Sequence, residues 1–220
     1  MQAIMETLFD ACYLSFAMIT GLSILLKSKT SLMKKVGAMT FLLGFGDAFH
    51  LVPRCYALWT TGLKANRAIL GMGKFITSIT MTIFYLLLYF IYQEYYKQKD
   101  KKMDLVMYIL TIARIVLCLF PQNDWLGQGN QFFGILRNIP FAIMGCIIIV
   151  LFYKQIKMNN DKIFKHMPLA ITLSFGFYIP VVLWADVMPM LGMLMIPKTL
   201  AYVWVIVMCI KLRDHYEKVC

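Results

Sequence analysis

The sequence predicts an all-α polytopic membrane protein, a single domain over residues 1–220 built from seven transmembrane helices. Three observations carry this. Of the 220 residues, 60% are hydrophobic and 15% charged, whereas soluble domains hold about 25% charged residues. The apolar residues fall into runs of the roughly 20 residues that a helix needs to cross a bilayer. The cations between those runs collect in alternate loops, the pattern of chains oriented by cytoplasmic positive charge.

The first run, about 5–26, carries Asp10, Tyr13 and Ser15 towards one end. No small-residue cleavage pattern follows it, so it reads as a retained helix and not a signal peptide. The second, about 36–60, holds Asp47, His50 and Arg54. Gly44 and Gly46 in this run permit close helix approach, and Pro53 is expected to bend it. The third, about 69–93, has Lys74 one turn in, then Thr77, Ser78, Thr80 and Thr82. The fourth, about 105–121, carries Arg114 at mid-depth. A polar connection from Pro121 to Gln131 leads to the fifth, about 136–156, which begins with Arg137, Asn138 and Pro140. The sixth, about 168–187, ends with Tyr178, Pro180, Trp184 and Asp186. The seventh, about 194–212, opens with Pro197, Lys198 and Tyr202.

Fifteen of the 22 basic residues lie between runs one and two, three and four, five and six, or after run seven. The positive-inside rule therefore places the amino terminus outside, the carboxyl terminus in the cytoplasm, and the chain in the cell membrane as a multi-pass protein. The net charge of +11 is accordingly an orientation signal. It is not read as a nucleic-acid footprint, because the lysines are dispersed over short loops with no recognition motif. The six cysteines include no CxxC pair, and Cys12, Cys118, Cys146 and Cys209 sit inside apolar runs as small packing residues. No metal site is expected, since His50 is the only histidine at membrane depth and a zinc site gathers several nitrogen or sulfur ligands. No cofactor motif is present, and nothing in the sequence fixes an oligomeric state.

The remaining charges locate the candidate site. Asp47, His50 and Arg54 stand at i, i+3 and i+7, one stripe of one helix. Ionisable groups at membrane depth face protein or water and mark function by default. Asp10, Lys74, Arg114, Arg137, Asp186 and Lys198 fall at similar depth although they come from helices of opposite direction. A polar cavity open to the outside accounts for that convergence. Asp47 is expected to be buried and to contact at least one of His50, Arg54, Arg114 or Lys198, directly or through water. For Lys74, Arg137 and Lys198 the structural alternative is snorkelling to the interface, and for the rest it is interhelical ion pairing.

Gly46-Asp-Ala-Phe, followed by Leu51-Val-Pro-Arg54, resembles the Gly-Asp motif of the lysoplasmalogenase-like membrane proteins. Gly73-Lys-Phe-Ile-Thr-Ser78 ahead of Tyr85 resembles the pattern on that family's next helix. That family has a histidine on this second helix, where the present chain offers Ile79 and Thr82, and it has eight spans in place of seven. The resemblance implies hydrolysis of the vinyl-ether bond of a lysophospholipid-like substrate, releasing an aldehyde and a glycerophospho head group. Such chemistry needs a proton delivered to carbon and a water added to the resulting cation. Asp47 matches the motif position and is the first choice for acid or base, with His50 and Asp186 as its possible partners. Arg54, Arg114 and Arg137 suit a lipid phosphate through forked hydrogen bonds, and Lys74 and Lys198 add charge. Asp10 completes the polar lining, while Tyr178, Trp184 and Tyr202 would line the chain-binding part. The alternative is a seven-helix receptor or transporter that binds a small anionic or zwitterionic ligand in the same cavity.

Overall fold

The computed structural model describes residues 2–184 and 188–219, and their regular structure is helical throughout. The long helices are α1 (Gln2–Lys27), α2 (Ser31–Trp59), α3 (Arg67–Tyr96), α4 (Lys101–Leu119), α5 (Gln131–Asn159), α6 (Met167–Trp184) and α7 (Met195–Val219). Single 3-10 segments, Pro121–Asn123 and Pro189–Leu194, precede α5 and α7. Six of the seven helices are long and apolar enough to cross a membrane. The other is α4, whose 19 residues include Lys101, Lys102, Asp104 and Arg114. A helical membrane protein is the fold class these elements define.

Each apolar run coincides with a helix, and the helices continue past the apolar stretch: α5 begins at Gln131 and α7 reaches Val219. Helical hydrogen bonding does not stop where the bilayer stops, so composition marks the span and the caps mark the ends. Thr30 caps α2 by accepting from the Met33 amide, Asp100 caps α4 through the Lys102 and Met103 amides, and Asn130 caps α5 through that of Phe133. At the other ends, Lys97 and Asn160 close α3 and α5 in the left-handed conformation, at φ 53° and 48°. α4 stops at Leu119 because Pro121 biases Phe120 to extended backbone, observed at φ −63° and ψ 129°.

Sequential helices pack side by side, and α7 closes the ring against α6, α1 and α2. The closest packing joins α1, α2 and α3. A side chain at Gly37 would place its Cβ 2.6 Å from the Leu25 amide nitrogen, and one at Gly44 would lie 2.8 Å from the Ala17 methyl. Gly46 is pressed against Thr80, and Gly73 against the Phe49 carbonyl. Small residues let backbones approach in this way, which gains dispersion contacts where apolar burial gives little.

The two ends of the bundle differ. At the end bearing the lysine-rich loops, Phe152, Phe164 and Leu212 are fully buried, with Phe152 against Tyr92 at 5.3 Å and Phe164 at 5.5 Å. Polar contacts tie the helix ends there: Tyr89 donates to Asp104 at 2.7 Å, Tyr96 to Asp161 at 2.6 Å, and Lys35 pairs with Glu94 at 2.6 Å. The opposite half of the bundle is hollow.

Candidate functional site

The hollow half encloses a cavity of about 860 Å³, within the size range of small-molecule sites. Its wall takes residues from the far ends of all seven helices and from the 121–130 connection. Asp10, Asp47, His50, Arg54, Lys74, Arg114, Arg137, Tyr178, Lys198 and Tyr202 all line it. Trp184, 51% exposed at the end of α6, is not part of the wall. Asp186 lies outside the described residues.

On the α1–α2 side the wall is acidic. Asp47 is buried, and its carboxylate accepts a hydrogen bond of 2.8 Å from the Tyr13 hydroxyl. Its direct partner among the described residues is therefore Tyr13 of α1, a residue the expectation did not name. The reason is packing: Gly44 brings α2 against α1 within reach of a tyrosine one turn from Ala17. Lys198 acts on Asp47 electrostatically but stands outside ion-pair contact among the described residues. Arg54 forms a forked pair with Glu6, at 2.9 and 3.3 Å, so its charge is already matched. Asp10 is buried and accepts from the Cys55 thiol at 3.5 Å. The Nδ1 atom of His50 is buried without a hydrogen-bond partner.

The α4–α5–α7 side is cationic. Arg114 is 2% exposed, and its Nε and Nη1 atoms have no hydrogen-bond partner among the described residues. Its guanidinium lies over the Phe141 ring at 3.4 Å, a contact that stabilises a cation without consuming its N–H donors. Arg137 donates to the Asn123 side-chain oxygen at 2.7 Å and stacks on Trp125 at 4.2 Å. The Lys198 ammonium sits over Tyr178 at 4.8 Å and Tyr202 at 5.4 Å. Lys74, exposed at the start of α3, adds a cation nearer the mouth.

The 121–130 connection is built into the wall. Asn123, 1% exposed, donates to the Leu117 and Phe120 carbonyls at 2.7 and 2.8 Å while its oxygen receives Arg137. The Trp125 indole donates to the Cys118 carbonyl at 2.9 Å, and Gly71 of α3 packs against the Trp125 backbone. Asn123 thus satisfies the orphan carbonyls at the end of α4 and orients Arg137 at once. Tyr13, Glu6 and Asn123 were not singled out by the sequence reading as site residues. Of the three, only Glu6 carried a signal, as one of two acids, with Asp10, in the first turns of α1 that could match Arg54.

In sum the wall carries seven cationic side chains and four acidic ones, with Asp10 and Asp47 on the α1–α2 side and Arg114, Arg137 and Lys198 across from them. Such a cavity suits a ligand with an anionic group, or one with both charges. No cluster of three or more His, Cys, Asp or Glu side chains occurs among the described residues. No family model matches this chain, and no curated protein or solved structure matches it either.

Proposed function

We propose that this chain is a seven-span membrane hydrolase, its cavity open to the extracytoplasmic side, that acts on the ether bond of a lysophospholipid-like amphiphile. The observation that carries the reading is Arg114. A guanidinium buried to 2% with two N–H groups unpartnered is costly to maintain, and an anion entering the cavity would satisfy it. Arg137 and Lys198 are placed to share that anion, a lipid phosphate in this reading. α4 then crosses the membrane with its arginine facing the protein interior, which removes the objection its composition raises.

Hydrolysis of a vinyl ether consumes one water. A proton adds to the double-bond carbon farther from the ether oxygen, water adds to the oxygen-stabilised cation, and the hemiacetal so formed splits into an aldehyde and the glycerol hydroxyl. Asp47 is the proton donor in this scheme, held in one orientation by Tyr13. His50, with Nδ1 lacking a protein partner, takes the proton from the attacking water. Both line the cavity that Arg114 faces.

The test is release of aldehyde and head group by the purified chain from lysoplasmalogen, with ordinary lysophospholipid as control. Asp47→Asn is expected to lower turnover by about 10² to 10⁴-fold, the range of a general acid, with binding retained. Arg114→Gln is expected to weaken binding by roughly 10 to 100-fold, since a hydrogen bond to a charged group contributes about 1.5–3 kcal/mol. Binding without product at any pH would replace the hydrolase by the seven-helix receptor or transporter.

A further inference from the structure

The cavity is not bounded by polar groups all the way round. Four of its wall residues, Asn138, Phe141, Tyr178 and Val182, are also the inner wall of a second cleft of about 200 Å³ between α5 and α6. The outer part of this cleft is formed by Ile135, Ile139, Ala142 and Ile179. Its lips face away from the bundle, with Ile139 49% and Ile179 44% exposed. Phe175 closes its deep end, with a ring that packs against Gly145 where any side chain would collide with it.

The partition between the two spaces is chemically sharp. Phe141 presents one face to the Arg114 guanidinium at 3.4 Å, and Tyr178 lies under the Lys198 ammonium at 4.8 Å. The polar atoms at the boundary are consumed locally: Tyr178 donates to the Asn138 oxygen at 3.1 Å, and the Asn138 amide donates to the Gly134 carbonyl at 2.7 Å. The cleft therefore exposes carbon only, while the cavity one ring's thickness away is cationic.

We propose that the α5–α6 cleft is a lateral slot that receives the single alkyl chain of the amphiphile whose charged head occupies the cavity. The proposal rests on the head-group reading given above. The occupant follows from adjacency: the two spaces share one wall, and with the Tyr178 ring turned aside a molecule that places an anion at Arg114 leaves the protein between Ile139 and Ile179, into the bilayer. Eight residues of α5, from Ile135 to Ala142, span about 10 Å, room for the first part of one chain and not for two side by side. Lipid tails are as apolar as the cleft, so the slot adds little affinity in a bilayer. Its effect is steric, because it lets a head group reach the cavity without its chain crossing polar space. Single-chain lipids are admitted, and two-chain lipids are held out.

Ala142 and Ile179 line the cleft and not the cavity, so substitutions there separate the two. Binding of lysophosphatidylcholine and of glycerophosphocholine, the same head group without a chain, would be measured on the purified full chain in nanodiscs. Ala142→Phe and Ile179→Trp are expected to weaken lysophosphatidylcholine at least tenfold and to leave glycerophosphocholine within twofold. Arg114→Gln should weaken both. Unchanged lysophosphatidylcholine binding in both cleft variants overturns the slot while sparing the head-group site. Failure of the wild type to bind either compound overturns both. Because a filled cleft can misfold a variant, the wild type would also be photolabelled with lysophosphatidylcholine carrying a diazirine near the start of its chain. Adducts confined to the outward residues of α5 and α6 are expected, and adducts spread evenly over other helices overturn the proposal.

Discussion

Among the described residues the Tyr13 hydroxyl is the one hydrogen-bond donor that reaches Asp47 directly, so at this point a single oxygen atom sets the geometry of the proposed acid. Removing it in Tyr13→Phe leaves the ring in place, 3% exposed in the wild type, and strips a buried carboxyl of its partner. The expected cost is about 1–3 kcal/mol of stability, seen as a lower melting temperature in detergent, together with a fall in turnover and little change in ligand affinity. A variant with wild-type turnover would take Tyr13 out of the site. That Asp47 and Arg114 would be buried was legible in the sequence, because charge inside an apolar run must be sheltered, whatever the packing. The identity of Asp47's partner was not. A tyrosine hydroxyl is compatible with core, interface or cavity, so no pattern along α1 distinguishes Tyr13 from its neighbours. Arg54 illustrates the converse, since it was read as a phosphate ligand but stands in a forked pair with Glu6 and has less charge to offer than Arg114.

Helix α2 owes its position to what it lacks. Pro53 lies inside it and has no N–H, so the Phe49 carbonyl four residues back loses its helical donor. That carbonyl is the group against which Gly73 of α3 packs. The two features fit each other: α3 approaches closely where α2 has a free carbonyl, and the Cα hydrogens of a glycine are the groups that can meet it. Gly73→Ala would drive a methyl into the backbone of α2, which cannot yield as a side-chain tip can, and an overpacking cost of about 1–3 kcal/mol is expected. The control is Gly176→Ala in α6, where an added Cβ meets nothing within 4 Å. There the better helix propensity of alanine should leave stability unchanged or raise it by up to about 1 kcal/mol. Thermal unfolding of both variants in the same detergent checks the pair, and equal losses would refute this account of the α2–α3 contact. The helices were legible from run length, whereas their caps at Thr30, Asp100 and Asn130 were not singled out. The α5–α6 cleft was not, because a gap between two helices follows from side-chain sizes on both and leaves no period in either.

At the scale of the whole molecule, the aromatic filling and the cavity divide the bundle into a solid half and a hollow half. The lysine-rich connections lie at the solid end, and the 121–130 connection lies at the hollow one. Orientation then decides which compartment the cavity opens to. The positive-inside rule acts on short loops close to the span ends, and the connections at 28–30, 97–100 and 160–166 are all of that kind. At the hollow end, by contrast, the 60–66 connection holds Lys64 alone and the 121–130 connection holds no lysine or arginine. In a background with its own cysteines replaced, a cysteine at Gln128 is therefore expected to react with an impermeant maleimide added to intact cells. One at Asn159, beside the solid end, should react only after the membrane is opened. Both positions are exposed, so a failure to label would report the compartment and not burial. The pair also tests α4. The two positions are separated by α5 alone, so they must label from opposite sides if α5 crosses, whereas a third cysteine at Lys99 shares the side of Asn159 only if α4 crosses as well. Labelling of Lys99→Cys and Gln128→Cys together from outside would leave α4 uncrossed, reduce the spans to six, and place Arg114 away from any lipid-facing cavity.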